Sequence, residues 1–143
     1  MIKIEYPERK PLIKTENGKE LILCAIRKSW MVLTPEEWVR QNLLIYLVDV
    51  MRYPASLMAV EKQLKLGDLK KRFDIVLYKN ELPFLLIECK EMNVAISAKT
   101  LEQVLRYNIN LRAAHFLITN GTDCFGFTNE DGRVTQLDAF PVF

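Results

Sequence analysis

Three side chains on two strand-like runs have the chemical types needed to bind a divalent cation beside a phosphate. Asp74 lies in the run at residues 72–78, while Glu88 and Lys90 lie in the run at residues 84–90. Two carboxylates on adjacent strands form a half-site for Mg²⁺, which keeps several waters and accepts phosphate oxygens. A lysine beside them can hold a nucleophilic water or stabilise developing phosphate charge. The residue types therefore indicate metal-assisted chemistry on a phosphate.

The separation of Asp74 and Glu88 depends on the hairpin that joins their runs. In a hairpin centred on Glu81 they are directly opposite on one face, with Cβ atoms about 4.5–5.5 Å apart. Carboxylates at that distance repel each other, and a divalent cation would remove the repulsion. A two-residue turn at Asn80-Glu81 would instead shift the pairing by one residue. The alternative is an exposed strand face with a Glu88–Lys90 pair beside a solvated Asp74.

Alternation along the strands predicts the face that each residue takes. In the first run, Phe73, Ile75 and Leu77 are expected on one face and Asp74 on the other. Glu88 is expected on the same face as Asp74. The opposite face is apolar.

Two helices are marked by their sequence signals. Thr34 is suited to cap the first helix, with Pro35 at its first position and Glu37 three residues after the cap, as in a capping box. A second helix is predicted over about residues 98–112 from its apolar periodicity. These helices stand on either side of the middle strands in the chain.

Further strand-like runs occupy the rest of the chain. Asn17-Gly18 lies between two apolar runs and predicts a β-hairpin within residues 11–24. Other strands are predicted at residues 57–66, His115–Thr119, 124–128 and 134–137. The order of hairpin, helix, three strands, helix and strands predicts a mixed α/β (α+β) domain with three layers.

Length and composition limit the classes of protein that remain. The 143 residues fit one domain and leave no room for a nucleotide-driven motor, and no phosphate loop of the G-x-x-x-x-G-K type occurs. The net charge of +2 neither demands nor forbids a nucleic-acid partner. The three cysteines form no C-x-x-C pair, and the chain lacks a signal-like N-terminus or a membrane-length apolar run. We expect a cytoplasmic protein with reduced thiols.

The ordered motifs resemble the PD-(D/E)xK nuclease superfamily and, more narrowly, the N-terminal nuclease domain of type I restriction enzyme R subunits in a small stand-alone form. The core of the resemblance is Arg72-Phe73-Asp74-Ile75-Val76 followed by Leu86-Ile87-Glu88-Cys89-Lys90. The other matching stretches are residues 27–30, 33–41, 53–54, 60–62, 103–107 and 116–121. The resemblance covers roughly residues 27–143.

The resemblance implies both a fold and an activity. It implies a restriction-endonuclease-like core at residues 29–143, behind an N-terminal hairpin extension at residues 1–28. It also implies hydrolysis of DNA phosphodiester bonds by an endonuclease that depends on Mg²⁺ (or Mn²⁺). Asp74 and Glu88 match the metal-ligand positions, and Lys90 matches the catalytic lysine.

Three further residues match positions near the active site of that family. Glu37 falls where related enzymes often carry an acid on the first helix, with Glu36 as a rival. Gln103 and Tyr107 are four residues apart and so share a helix face, and in the family that face approaches the active site. The alternative for Gln103 and Tyr107 is a polar helix surface.

Positive charge concentrates just before the predicted site. The residues concerned are Lys62, Lys65, Lys70, Lys71 and Arg72. They are suited to contact phosphates in a way that is independent of base sequence and sensitive to salt. Lysines on strand edges also discourage aggregation, and the sequence leaves the two interpretations open.

The expected partner is DNA, with a separate motor or specificity protein and a second copy of the chain as further partners. In type I R subunits translocation drives DNA to the nuclease, and this chain has no motor. Cleavage here would need a partner, would act without translocation, or has been lost. The competing hypothesis is a non-catalytic module that binds DNA or a partner protein on a nuclease fold.

Overall fold

The computed structural model describes residues 1–66, 68–109 and 113–143, without the side chains of residues 66, 69 and 107–109. The first part of the chain forms β1 (Ile13–Glu16), β2 (Lys19–Leu23), β3 (Trp30–Val32) and helix α1 (Pro35–Asp49). A short 3₁₀ turn (Ala55–Leu57) leads into β4 (Met58–Leu66), β5 (Leu69–Lys79) and β6 (Leu82–Cys89). The last part forms α2 (Ala98–Ile109), β7 (His115–Thr119), β8 (Cys124–Glu130) and β9 (Arg133–Leu137).

The strands of the described residues form two sheets. β1, β2 and β3 make a small antiparallel sheet, whereas the other six form one sheet in the order β4-β5-β6-β7-β8-β9. Within the large sheet only β6 and β7 are parallel, because α2 carries the chain back to the start of β7. The predicted core of helix, three strands, helix and strand is therefore confirmed, as is the N-terminal hairpin.

The two helices cover opposite faces of the large sheet. On one face, Leu43 and Leu47 of α1 pack with Ile75 and Ile87 in a buried cluster. The second cluster contains residues of the other face and of α2, namely Phe73, Val76, Leu86, Val104, Phe116 and Ile118 among others. The apolar side chains of the sheet are thereby buried under one helix or the other. The predicted three-layer arrangement is confirmed.

The start of α1 follows the sequence signals. Thr34 has extended backbone angles and its hydroxyl accepts a hydrogen bond of 3.0 Å from the backbone N–H of Glu37. Pro35 occupies the first turn, where the missing N–H costs no helical hydrogen bond. The cap fixes the position of the first turn, which carries the acidic residues nearest to the predicted site.

The hairpin between β5 and β6 contains both features that the sequence left open. Asn80 and Glu81 have φ angles of 52° and 65°, as a two-residue hairpin turn requires. The register then shifts between Leu77 and Tyr78, so that Leu77 lies opposite Leu85. This irregularity restores the pairing of a hairpin centred on Glu81, and among the described residues the ladder ends at Ile75 opposite Ile87, one position before Asp74 and Glu88.

The prediction that Phe73 shares a face with Ile75 and Leu77 is wrong. Phe73 packs in the cluster beneath α2, on the opposite side of the sheet from Ile75. Opposite this point on β4, Glu61 has a φ of 53°, and the register passes from Val60–Ile75 directly to Lys62–Phe73. The ladder thus omits the pair of Glu61 and Asp74, and the alternation of β5 is interrupted at this point.

Other differences concern the ends of elements. β3 has no counterpart among the predicted strands, and β8 and β9 extend past the predicted ends of their hairpin. α2 ends at Ile109 within the described residues, and residues 110–112 of the predicted helix lie outside them.

Candidate metal centre

The candidate site lies where β5 and β6 separate. Among the described residues, the ladder between them goes no further than Ile75 opposite Ile87, whereas β6 continues beside β7 as far as Cys89. The carboxylate of Asp74 fills the gap: its Oδ2 accepts a hydrogen bond of 2.7 Å from the backbone N–H of Cys89. Asp74 is thereby held in the plane of the sheet, between the two strands.

The second carboxylate, that of Glu88, is largely buried. Its side chain is only 15% exposed, and its Oε1 lies 3.2 Å from Lys71 Nζ. Apart from that ion pair, Oε1 is buried without a hydrogen-bond partner among the described residues. Burial raises the pKa of Glu88, Lys71 and Lys90 oppose the rise, and the negative charge of Asp74 adds to it.

Lys90 follows the last residue of β6 and is partly buried. Its backbone N–H donates a hydrogen bond of 2.8 Å to Thr119 O, which ties it to the end of β7. The positive charge of Lys90 lowers the pKa of both Glu36 and Glu88, against the larger effect of burial. Lys90 therefore lies within electrostatic reach of acids on both the helix and the strand.

A buried arginine on α1 binds the first carboxylate. Arg40 Nη2 donates a hydrogen bond of 2.6 Å to Asp74 Oδ1, and the arginine side chain is 6% exposed. Arg40 Nη1 donates to both carboxylate oxygens of Glu37, at 2.9 Å each. Burial by itself lowers the pKa of Arg40, but the hydrogen bond and charge of Asp74, together with the charge of Glu37, outweigh it and leave the pKa raised.

The two helix acids take different positions. Glu37 is buried and accepts hydrogen bonds from Arg40, Arg27 and Gln41, so its carboxylate is used within the protein. Glu36 is 51% exposed and lies 3.3 Å from Arg40 Nη2. Burial and the charge of Asp74 raise the pKa of Glu36. Glu36 is therefore the helix acid with the more accessible carboxylate, whereas the carboxylate of Glu37 is occupied by contacts within the protein.

Gln103 and Tyr107 are both on α2, which packs against the opposite face of the sheet from α1. Gln103 is exposed, and within the described part of the chain no hydrogen bond joins it to Asp74, Glu88 or Lys90. The side chain of Tyr107 lies outside the described residues. Their predicted approach to the site stays a prediction.

Comparison with known protein families identifies the family to which the chain is similar. A family model described as the type I restriction enzyme R protein N terminus matches residues 35–141. The chain belongs to this family. No curated protein matches it significantly. The matched range in the R protein N-terminal family contains α1, all six strands of the large sheet, α2 and every predicted site residue.

The basic residues of this family member divide into two groups. Lys62, Lys65, Lys70 and Arg72 are exposed, and Lys65 lies directly opposite Lys70 on the β4–β5 hairpin. Lys71 is only 22% exposed and pairs with Glu88. Its ammonium also lies 5.1 Å from the centre of the Phe73 ring. Lys71 is placed inside the site, whereas the other four form its basic rim.

The contacts of the site include residues that the sequence argument did not identify as functional. Arg27 donates to Glu61 Oε2 at 2.6 Å and to Glu37 Oε1 at 3.1 Å, and Arg40 lies 3.7 Å from Glu61 Oε1. Arg27 and Arg40 lie in the stretches 27–30 and 33–41, which resemble the nuclease family, but their charge alone gave no reason to assign them a role. The spacing of Glu36, Glu37 and Arg40 was the available signal, since residues three and four apart share a helix face.

The site offers a divalent cation a small number of carboxylate oxygens. Within residues 1–66, 68–109 and 113–143, no three His, Cys, Asp or Glu side chains form a ready-made metal cage. Mg²⁺, however, is usually held by one or two carboxylates plus waters and substrate phosphates. Asp74 and Glu88 supply two carboxylates of the type that Mg²⁺ prefers, although a metal on the buried Glu88 Oε1 would compete with Lys71, whose Nζ lies 3.2 Å away. The residues present fit Mg²⁺ or Mn²⁺.

No helix in the described part of the chain is long and apolar enough to span a membrane. The three cysteines are free and buried.

Proposed function

We propose that this protein is a metal-dependent DNA endonuclease that hydrolyses phosphodiester bonds. The observation that carries the proposal is the buried pair of Asp74 and Glu88 at the end of β6, with Lys90 directly after it. Burial raises the pKa of Glu88 and the negative charge of Asp74 adds to the rise, and perturbed carboxylates of this kind concentrate at functional sites. Membership in a restriction-enzyme family supports the same assignment.

Each residue has a proposed role in hydrolysis. Asp74 and Glu88 would hold Mg²⁺ or Mn²⁺, which when bound supplies Lewis-acid polarisation of the phosphate and activation of a water. Lys90 orients the attacking water and stabilises the negative charge that develops on the phosphate oxygens. The oxygen of water forms the new bond to phosphorus and its proton passes to solvent, while the bond to the leaving deoxyribose oxygen breaks and that oxygen takes up a proton from solvent to become a hydroxyl.

The surface around the site combines basic residues with an acidic groove. The groove, of about 550 Å³, runs beside the start of α1 and is lined by Arg40 and by four glutamates, Glu36, Glu37, Glu61 and Glu91, among others. The basic rim extends from β4 and β5 next to this region. Lysine and arginine contacts of this kind supply sequence-independent affinity. We propose DNA as the substrate, with a separate motor or specificity protein and a second copy of the chain as partners inside the cell.

Incubation of the purified protein with supercoiled plasmid and Mg²⁺ or Mn²⁺ tests the proposal. Nicked or linear DNA is the expected product, and Asp74→Ala and Lys90→Ala should abolish it. The exposed residues Asp138 and Lys99 offer matched controls, since Asp138→Ala and Lys99→Ala should cleave like the wild type. Cleavage that survives Asp74→Ala undiminished would sink the assignment.

A second function is favoured by the ion pairs that already bind both carboxylates. Asp74 pairs with Arg40 and Glu88 pairs with Lys71, so the centre is balanced electrically without a metal. A non-catalytic module that binds DNA or a partner protein would need only these ion pairs and no bound metal. Metal titration by calorimetry separates the two functions. Only the nuclease requires the protein to bind a divalent metal, and that metal binding should be lost in Asp74→Asn.

A further inference from the structure

Arg40 is surrounded by carboxylates on three different elements. Its guanidinium lies within ion-pair distance of Glu36, Glu37, Glu61 and Asp74. The shortest of these contacts, 2.6 Å, is to Asp74. A short charge-assisted hydrogen bond in a buried place is among the stronger polar contacts in a protein. Arg40 is therefore the principal positive charge that balances Asp74.

The guanidinium is held firmly in this position. Glu37 accepts two hydrogen bonds from Arg40 Nη1, and Glu37 is itself bound by Arg27 and Gln41. Movement of Arg40 away from Asp74 would break these bonds and would leave buried charges unpaired, which is costly. We conclude that the charge of Arg40 stays beside Asp74 whatever else binds there.

A fixed positive charge next to a metal ligand opposes the binding of a cation. Coulomb energies between charges a few ångströms apart are large wherever water is excluded. We propose, on the basis of the function proposed above, that Arg40 is a positioning residue that acts as the resident counter-ion of Asp74 and limits the affinity of the site for divalent metal. It orients the Asp74 carboxylate through Oδ1, while Cys89 fixes Oδ2.

Calorimetric titration with Mn²⁺ in the absence of DNA tests this role. Arg40→Gln keeps a hydrogen-bond donor but removes the charge, so it should bind Mn²⁺ at least about tenfold more tightly than the wild type. Arg40→Lys retains the charge and should stay close to the wild-type affinity. Arg106→Gln is the control, because Arg106 is an exposed residue of α2 that pairs with Glu102 on the same helix.

The melting temperature with and without Mn²⁺ gives a second readout. Mn²⁺ should raise the melting temperature of Arg40→Gln more than that of the wild type. At a given Mn²⁺ concentration, a protein that binds the ion more tightly in its folded state is stabilised more. If Arg40→Gln is unfolded without metal, folding on addition of Mn²⁺ is the expected result. A variant that stays unfolded at saturating Mn²⁺ overturns the proposal.

The outcomes distinguish this inference from the proposed function. If the wild type binds Mn²⁺ and Arg40→Gln binds it equally or more weakly, the counter-ion role is wrong while the metal site stands. If neither protein binds Mn²⁺ at millimolar concentration, the metal site itself is wrong and the inference fails with it. Binding by Arg40→Gln alone supports the counter-ion role.

Discussion

Asp74 Oδ2 accepts a hydrogen bond of 2.7 Å from the backbone N–H of Cys89, just past the last paired residues of β5 and β6. The side chain thus bonds to an N–H that the ladder between these strands leaves free. Cys89 lies between Glu88 and Lys90, so this one bond sets Asp74 beside both residues. A side-chain bond across two diverging strands explains how an acid from β5 reaches the end of β6.

Substitution of Lys90 should separate metal binding from catalysis. Lys90→Ala removes a positive charge that lowers the pKa of Glu88 and Glu36, so Mn²⁺ binding should be retained or strengthened. The cleavage rate should fall by about 100-fold or more, as when a group that stabilises developing charge is removed. Calorimetry and single-turnover cleavage measure the two quantities. Loss of Mn²⁺ binding, or an unchanged rate, would show that Lys90 has another role.

The two helix acids should respond differently to the same substitution. Glu37→Gln weakens a buried network and should lower the free energy of unfolding by about 1–3 kcal/mol. Glu36→Gln, at a half-exposed site, should change stability by no more than about 0.5 kcal/mol and should reduce cleavage roughly tenfold or more. Urea denaturation and the plasmid assay measure these effects. The reverse ranking of the cleavage rates would identify Glu37 as the acid that acts in the site.

Removal of charge from the tip of the basic rim should weaken DNA binding without altering metal binding. The double variant Lys65→Ala/Lys70→Ala should reduce the slope of log affinity against log salt by about 0.9 for each lost phosphate contact. Fluorescence anisotropy at several salt concentrations measures the slope. Lys10→Ala/Lys19→Ala removes two exposed lysines of the N-terminal segment and serves as the control. Equal slopes in both variants would contradict the proposed role of the rim.

The raised pKa of Glu88 has a consequence for stability. A carboxyl group whose pKa is higher in the folded protein stabilises it below the usual value of about 4.5, and this contribution is lost as pH rises through the folded pKa. Glu88→Gln has no carboxyl group at this position and does not lose stability in this way. The free energy of unfolding of the variant minus that of the wild type should therefore be larger at pH 7 than at pH 4. Urea denaturation of both proteins at the two pH values gives the comparison. A smaller difference at pH 7 would mean that the pKa of Glu88 is lowered on folding.

The turn between β5 and β6 offers a test of the backbone that sets the register. Glu81 is exposed and has a φ of 65°, which is unfavourable for a residue with a side chain. Glu81→Gly should therefore raise the free energy of unfolding by about 0.5–1 kcal/mol. Glu130→Gly, in a strand without positive φ, should lower it. Thermal or urea denaturation measures both, and destabilisation by Glu81→Gly would contradict the turn geometry.

Most elements of the fold were predictable because their signals are local. Thr34 and Pro35 mark the first turn of α1 within a few residues. The positive φ angles of Asn17 and Gly18 form the turn that their residue types favour. β7 occupies the predicted residues His115–Thr119, since a short apolar run between polar residues is typical of a buried strand.

The pairing of the middle strands was only partly predictable. The sequence offered a hairpin centred on Glu81 or a two-residue turn, and the molecule uses the turn together with a shift at Leu77 and Tyr78. The face of Phe73 was predicted wrongly because alternation assumes a regular strand. The positive φ of Glu61, on the neighbouring strand, breaks that regularity.

By itself, the sequence determined that Asp74, Glu88 and Lys90 come from neighbouring strands next to a capped helix. Residue types and periodicity were sufficient, because both act over a few positions of the chain. Only the tertiary structure decided that Arg40 binds Asp74 across 34 positions, and that Glu37 is buried in hydrogen bonds while Glu36 stays half exposed. Those relationships depend on the rotation of α1 over the sheet and on the separation of β5 from β6. Packing of the whole core sets both, so no local pattern contains them.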